Sequence, residues 1–220
     1  MSGCGALRPD CALGLEKVLN RMSRDLETVQ KDRNAAVALG GNLDLNGFSA
    51  DQLILRALEK MMSGGASGGI RACRISRFFR TPAHPPGNGP DYVNAVAQIS
   101  TELSAEALLD RLHAIEASFA RERAARWASR TVDLDLLFHG DRIAPDPEIQ
   151  RQWMDLPPDR QRIDTPDRLI LPHPRLQDRP FVLIPLADIL PDWVHPVTGQ
   201  SVRQMVQRLP ADEIAAICPL

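Results

Sequence analysis

Two aspartates one residue apart, Asp133 and Asp135, sit in the run Arg130-Thr131-Val132-Asp133-Leu134-Asp135-Leu136-Leu137-Phe138. Drawn as a strand, the run puts both acids on one face and Val132, Leu134, Leu136 and Phe138 on the other, because strand side chains alternate. Two strand steps separate the Asp Cα atoms by about 6–7 Å, a spacing that suits two carboxylates gripping one or two hard cations, with room for a polyphosphate beyond them. Aspartate is depleted in strands, so folding alone does not call for the pair. A solvent-facing edge strand would also account for an isolated Asp-x-Asp, and the surroundings have to decide.

Just upstream lie Arg121, Arg123, Arg126 and Arg130, with Trp127 among them. Guanidinium forks fit phosphate oxygens, and a Trp in such a loop suits closing over a flat ring or excluding water. Further on, Leu171-Pro172-His173-Pro174-Arg175 and Arg179 supply a histidine between prolines and two more cations. Together with a cation-holding acid pair, these groups can neutralise a triphosphate. Tyr92 and Phe181, if they share a pocket, can sandwich a planar heterocycle, and Asn94 on the Tyr92 face offers a donor and an acceptor to its edge. Glu116, one helix turn after His113, is either a surface acid or a group that reaches the pocket. No P-loop pattern and no Ser/His/Asp or Cys/His nucleophile system is present, which suits a reaction driven by positioning and charge neutralisation.

The elements that must hold these groups can be read in order. Residues 1–33 carry Leu15, Leu19, Met22, Leu26 and Val29 on one helical stripe, which predicts an N-terminal helical extension. Ala35 to Leu39 reads as a buried strand ended by a turn at Gly40-Gly41-Asn42. Ser49 is the expected N-cap of a helix over Asp51 to Met62, with Leu53, Ala57, Leu58 and Met61 inward. A Gly/Ser connector over 63–69 leads to a second strand over Ile70 to Arg80, and the Pro/Gly-rich stretch Thr81 to Asp91 excludes regular structure. A third strand over Tyr92 to Ile99 sets Val93, Ala95 and Ala97 against Tyr92, Asn94, Val96 and Gln98. Ser104 caps a helix bearing Leu108, Leu109, Leu112, Ile115 and Phe119, and the Asp strand follows the basic loop. Beyond it, a polar insertion over about 141–167 shows no core of its own, and helices are expected over Phe181 to Leu190 and Val202 to Leu209. The order strand–helix–strand–strand–helix–strand predicts an α+β, ferredoxin-like βαββαβ core. Its helices pack on one face of an antiparallel sheet, and residues 34–220 form one domain.

Composition sets outer limits. With 220 residues, 44% of them hydrophobic and 25% charged, the chain has ordinary globular proportions. A net charge of −2 argues against a dedicated nucleic-acid binder, and no apolar run reaches the roughly 18–20 residues of a membrane span. The scattered cysteines at 4, 11, 73 and 218 form no C-x-x-C pair, and no export signal is visible, so a reducing, cytoplasmic setting is expected. Three readings stand at this point. They are a phosphoryl-type transferase with a flat heterocyclic acceptor, another Mg-dependent phosphotransferase or nucleotidyltransferase, and a ferredoxin-like RNA-binding module, the last opposed by the net charge and the acid pair.

From about Ala35 to Pro191 the chain resembles the hydroxymethyl-dihydropterin pyrophosphokinases of folate biosynthesis. The resemblance is carried by Ala38-Leu39-Gly40-Gly41-Asn42-Leu43, Arg80-Thr81-Pro82, Pro90-Asp91-Tyr92-Val93-Asn94-Ala95-Val96 and Ile115-Glu116 followed by Arg121-x-Arg123. Arg126-Trp127-x-x-Arg130-Thr131-Val132-Asp133-Leu134-Asp135-Leu136, Leu171-Pro172-His173-Pro174 and Arg179-Pro180-Phe181-Val182-Leu183 complete it. The resemblance implies transfer of pyrophosphate from ATP to the pterin hydroxymethyl oxygen, with AMP released. It implies that Asp133 and Asp135 hold two Mg²⁺ ions, and that Tyr92 and Phe181 stack the pterin. Asn94, with the backbone near Thr81 and Pro82, would read the pterin edge. Arg123, Arg130, His173 and Arg179 would bind phosphates, Arg121 would assist the chemical step, and Trp127 would sit on a closing loop. Glu116, Arg168 and Ile170 would flank the nucleotide. The expected partners are these small molecules alone, with no nucleic acid and no membrane, on a monomer or homodimer. Departures from the family pattern are Gly41 where Ser is usual, Ala120 for Gly, a basic loop one residue shorter, and the long insertion.

Overall fold

The computed structural model describes residues 34–63, 69–83, 89–121 and 131–220, with Arg121 reached through its backbone only. The N-terminal helix expected over residues 1–33, the centre of the Gly/Ser connector, part of the Pro/Gly stretch, and Arg123, Trp127 and Arg130 lie outside the described residues.

Within them the chain runs β1 (Asn34–Gly41), α1 (Ala50–Met62), β2 (Arg71–Ile75), β3 (Phe79–Thr81), β4 (Tyr92–Ser100), α2 (Ala105–Arg121) and β5 (Asp133–His139). There follow α3 (Pro147–Met154), α4 (Pro158–Ile163), a 3₁₀ turn at Leu176–Asp178, α5 (Pro180–Ile189), α6 (Val202–Val206), α7 (Ala211–Ala215) and β6 (Cys218–Pro219). The sheet order is β5-β1-β4-β3-β6, with β2 also paired to β4. Strands β1/β4, β1/β5, β2/β4 and β3/β4 all pair antiparallel. Counting β2 and β3 as one broken strand, the core order is fourth–first–third–second, the ferredoxin-like arrangement the element order predicted.

The break in the predicted second strand has a local cause. Ser76 N–H donates to Val96 O at 2.9 Å and Ser76 Oγ accepts from Val96 N–H at 2.9 Å. One residue thus uses backbone and hydroxyl to span the gap, so β2 pairs with the far half of β4 and β3 with its start.

The two core helices pack on one face, as expected. Leu53, Ala57, Leu58 and Met61 of α1 and Leu108, Leu112, Ile115 and Phe119 of α2 join Val37, Leu39, Ala95, Ala97, Ile99, Leu134 and Leu136 in one cluster. A second cluster lies on the opposite face, where Val182, Leu183 and Leu186 of α5 and Val202 and Met205 of α6 cover Ala36, Val96, Leu137 and Phe138. The C-terminal helical segment is therefore what covers the other side of the sheet. The sequence left that face unassigned because Pro180–Ile189 is apolar nearly all round and shows no preferred side.

Two readings need correction. Strand β1 runs through Gly40 and Gly41, which pair with Asn94 and Val93, so the glycines extend the strand and do not end it. Phe138 does not share a face with Leu134 and Leu136. Ala36 pairs with Phe138 but Val37 with Leu136, leaving Leu137 as an extra residue in β5. This bulge reverses the alternation and sends Phe138 to the second cluster, where it stacks on Trp193 at 4.3 Å between ring centroids. The polar, Pro-rich stretch over 141–167 also holds regular structure, namely α3 and α4.

Candidate active site at one end of the sheet

Gly40 is the centre of the arrangement. It pairs with Asn94 on β4 and with Asp133 on β5, so acceptor-reading and cation-holding candidates sit on the two strands that flank it. Two inter-strand spacings put those flanking positions about 10 Å apart. Alternation along β4 and β5 puts Tyr92 and Asn94, and Asp133 and Asp135, on the sheet face opposite α1 and α2. A Cβ at Gly40 would stand 3.1 Å from Asn94 Oδ1, so glycine leaves the room that the amide occupies. At Gly41 a Cβ would lie 2.6 Å from Thr131 O, a backbone atom two residues ahead of Asp133.

The Asn94 side chain is fixed. Its Nδ2 donates to Thr81 Oγ1 at 2.7 Å, and both residues are buried. Thr81 is also the strand partner of Tyr92, which is half-buried, whereas Pro82 is exposed. Asn42, which sequence reading treated only as part of a turn, donates from Nδ2 to Pro90 O at 3.3 Å and so holds the end of the Pro/Gly stretch to β1.

Around Asp135 two residues from a later part of the chain converge. Arg179 Nη1 donates to Asp135 Oδ2 at 3.0 Å, and His173 Nε2 lies 3.9 Å from the same oxygen. Arg179 is the N-cap of α5, and Phe181 in the first turn is 39% exposed, with the Arg179 guanidinium 5.7 Å from its ring centroid. The bulge supplies the anchor for His173, whose N–H donates to the carbonyl of the extra residue Leu137 at 2.8 Å. His173 Nδ1 accepts from Arg175 N–H at 3.1 Å, which leaves the proton on Nε2, the nitrogen nearer Asp135. Burial pushes the imidazole below its ordinary value against the opposing pull of Asp135, which favours the uncharged ring. Burial also lowers Arg175 and raises Asp178 from their ordinary values.

Glu116 is committed to the Asp strand. Its Oε1 accepts from Leu134 N–H at 2.8 Å, between the two aspartates on the outer edge of β5. Arg168 is exposed and paired with Asp167 at 2.9 Å, and Ile170 is buried, which leaves its backbone as the part able to face a nucleotide. The structure thus brings together Asp133, Asp135, His173 and Arg179 on one side of Gly40 and Thr81, Tyr92 and Asn94 on the other. The anchoring roles of Leu137 O and Gly40 had no signal in residue type alone.

These features define an α+β protein of ferredoxin-like topology with an acid–arginine–histidine cluster beside a fixed amide on one sheet face. The family profile described as 7,8-dihydro-6-hydroxymethylpterin-pyrophosphokinase (HPPK) matches residues 36–191. A 2-amino-4-hydroxy-6-hydroxymethyldihydropteridine pyrophosphokinase of Synechocystis is 35% identical over 190 residues, 86% of this chain and 83% of that protein. One from Haemophilus influenzae is 33% identical over 187 residues, 84% of this chain and 98% of its own length. Among solved structures, Plasmodium falciparum HPPK-DHPS aligns with a TM-score of 0.52 at 16% identity, covering 80% of this chain and 44% of that one. The chain thus spans less than half of that larger protein, and the likeness speaks to the fold. This chain belongs to the 7,8-dihydro-6-hydroxymethylpterin-pyrophosphokinase family.

Proposed function

We propose that the protein transfers pyrophosphate from ATP to the hydroxymethyl oxygen of 6-hydroxymethyl-7,8-dihydropterin, releasing AMP, in folate biosynthesis. The acceptor oxygen attacks the β-phosphorus, the bond from that phosphorus to the oxygen retained by AMP breaks, and the hydroxyl proton is released. The observation that carries the reading is Gly40, which pairs with Asn94 on one side and Asp133 on the other. That pairing sets an edge-reading amide and a carboxylate pair side by side on one sheet face. It suits a flat acceptor delivered to a polyphosphate.

In this reading Tyr92 and Phe181 stack the pterin, while Asn94 and the backbone near Thr81 and Pro82 read its edge. Arg179 and His173 contact phosphates, His173 through its Nε2–H. Arg121, Arg123, Arg130 and Trp127 are assigned from sequence alone, as phosphate, chemistry and loop-closing residues. Glu116, Arg168 and Ile170 flank the nucleotide, with Glu116 holding the Asp strand by its bond to Leu134.

The donor set fits Mg²⁺. Asp133 and Asp135 share a face, and among the described residues no group of three or more His, Cys, Asp or Glu forms a complete cage. Mg²⁺ is commonly bound through one or two carboxylates plus substrate phosphates, so a pair of acids matches an ion that comes with ATP. Two such ions held by Asp133 and Asp135 would supply charge neutralisation of the triphosphate. No helix among the described residues is long and apolar enough to cross a membrane. Cytoplasmic location and a monomer or homodimer complete the proposal.

Incubation with ATP, Mg²⁺ and the reduced hydroxymethylpterin should form AMP in step with pyrophosphorylated pterin. ADP as the product, or AMP formed independently of pterin, would overturn the reading.

A further inference from the structure

The insertion over about 141–167 has no role in the reaction as described, yet its feet are fastened beside the site. Ala144 N–H donates to Leu171 O at 2.9 Å and Leu171 N–H donates back to Ala144 O at 3.1 Å. Inside it, α3 is capped by Asp146, whose side chain accepts from Glu148 N–H and Ile149 N–H at 3.0 and 2.9 Å. A helix laid against a protein ordinarily buries an apolar stripe. The residue that α3 buries is Gln150, at 0% exposure.

Gln150 Nε2 donates to Pro172 O at 3.2 Å, while its enclosed Oε1 has no hydrogen-bond partner among the described residues. Burying an amide with one end unpaired carries a desolvation cost that an apolar residue would avoid. The amide is explained by what it holds. Pro172 is the residue before His173, in a turn whose prolines at 172 and 174 lack N–H groups. That turn has few backbone donors with which to fix itself. His173 is gripped from one side by Leu137 O and, through the Pro172 carbonyl, from the other side by Gln150.

We propose that Gln150 is a positioning residue for His173, and that the insertion braces the Leu171–Pro174 turn so that the Nε2–H is held beside Asp135. The proposal rests on the reading of His173 as a phosphate contact. Replacement of Gln150 frees the Pro172 carbonyl and loosens the ring, so its effect must pass through His173.

The test compares Gln150→Met, His173→Ala and the double variant in the AMP-forming assay. Methionine keeps the length and approximate volume of the side chain and removes the donor. The Gln150→Met change should raise KM for ATP about 10-fold, as loss of an outer-shell partner commonly does, and should add nothing in the His173→Ala background. Equal effects in both backgrounds, or a lowered Tm with KM unchanged, would make Gln150 a fold staple and overturn the proposal. A second readout needs no turnover. Nitrogen-15 spectra of histidine-labelled protein should show the His173 ring nitrogens shifting toward tautomer-averaged values in Gln150→Met, while His195 stays put. An unchanged His173 signature also overturns the proposal, whereas absence of pterin-dependent AMP from the wild type would count against the reaction instead.

Discussion

Arg179 and Asp135 meet at 3.0 Å across 44 residues of sequence, the guanidinium from the N-cap of α5 and the carboxylate from the second position of the Asp-x-Asp pair. The contact joins the C-terminal helical layer to the strand that carries the acids. Both side chains keep contact with water, at 26% and 31% exposure, so the pair contributes little to stability, on the order of 1 kcal/mol or less. Its importance is that the acid proposed to hold cations already faces a cation proposed to hold phosphate.

Replacement of Asp135 separates those roles. In Asp135→Ala, Arg179 remains partly solvated, so Tm should change by only a few degrees. AMP formation should fall by about 10²–10³-fold or more, the scale seen when a preorganised charge-stabilising group is removed. Near-wild-type turnover in a folded variant would make the acid pair structural.

Asn94 tests the acceptor side alone. Its Nδ2 bond to Thr81 Oγ1 fixes the amide on the opposite side of Gly40 from the carboxylates. Asn94→Ala should raise KM for the pterin by about 10- to 100-fold, since a lost pair of edge contacts is worth roughly 1.5–3 kcal/mol. ATP affinity, measured by titration in the absence of pterin, should stay within about twofold. Parallel losses for both substrates would show that Asn94 holds the sheet end as a whole.

Much of this arrangement was readable in the residues, and the unread part has a common cause. Alternation along Tyr92–Ile99 gave the correct faces of β4, and the Asp-x-Asp run gave those of Asp133 and Asp135. Alternation carries no mark for an inserted residue, so the bulge at Leu137, the flip of Phe138 and the carbonyl that anchors His173 were hidden. Gln150 was hidden for a related reason. It is a polar residue in a polar, Pro-rich stretch, and only the fold shows that it is the buried one. Backbone partners, as distinct from side-chain types, are what sequence patterns conceal.

Gly41 shows how a change that looks conservative in sequence can be costly in place. Serine is usual at this position in the family the sequence resembles, yet a Cβ here would come 2.6 Å from Thr131 O. Thr131 is buried and leads directly into Asp133, so the clash has to be relieved by moving the start of the Asp strand. Gly41→Ala should cost about 1–3 kcal/mol of stability. It should lower kcat/KM by up to about 100-fold, because small misplacements of reacting groups are expensive. Calorimetric melting and the AMP assay check both parts, and a variant unchanged in each would mean that the strand end yields freely.

His195 gives the protein an acid limit unrelated to the carboxylates. The ring is fully enclosed, stands edge-on to Trp193 at 5.7 Å, and its Nδ1 accepts from Val197 N–H and Thr198 N–H at 3.2 and 3.3 Å. Both bonds require that nitrogen to be unprotonated. Burial pushes the imidazole down from 6.5 to about 4. A base whose folded pKa is depressed binds its proton more readily when unfolded. Its contribution to stability is therefore complete above pH 6.5 and declines as pH falls from there toward 4, by about 3 kcal/mol over the whole window. His195→Asn keeps a side-chain acceptor and removes the titration. Its denaturation midpoint should fall less steeply than the wild type's between pH 6.5 and 4, even if the variant is less stable at pH 8. Parallel curves for the two proteins across that window would show that His195 does not set the acid limit.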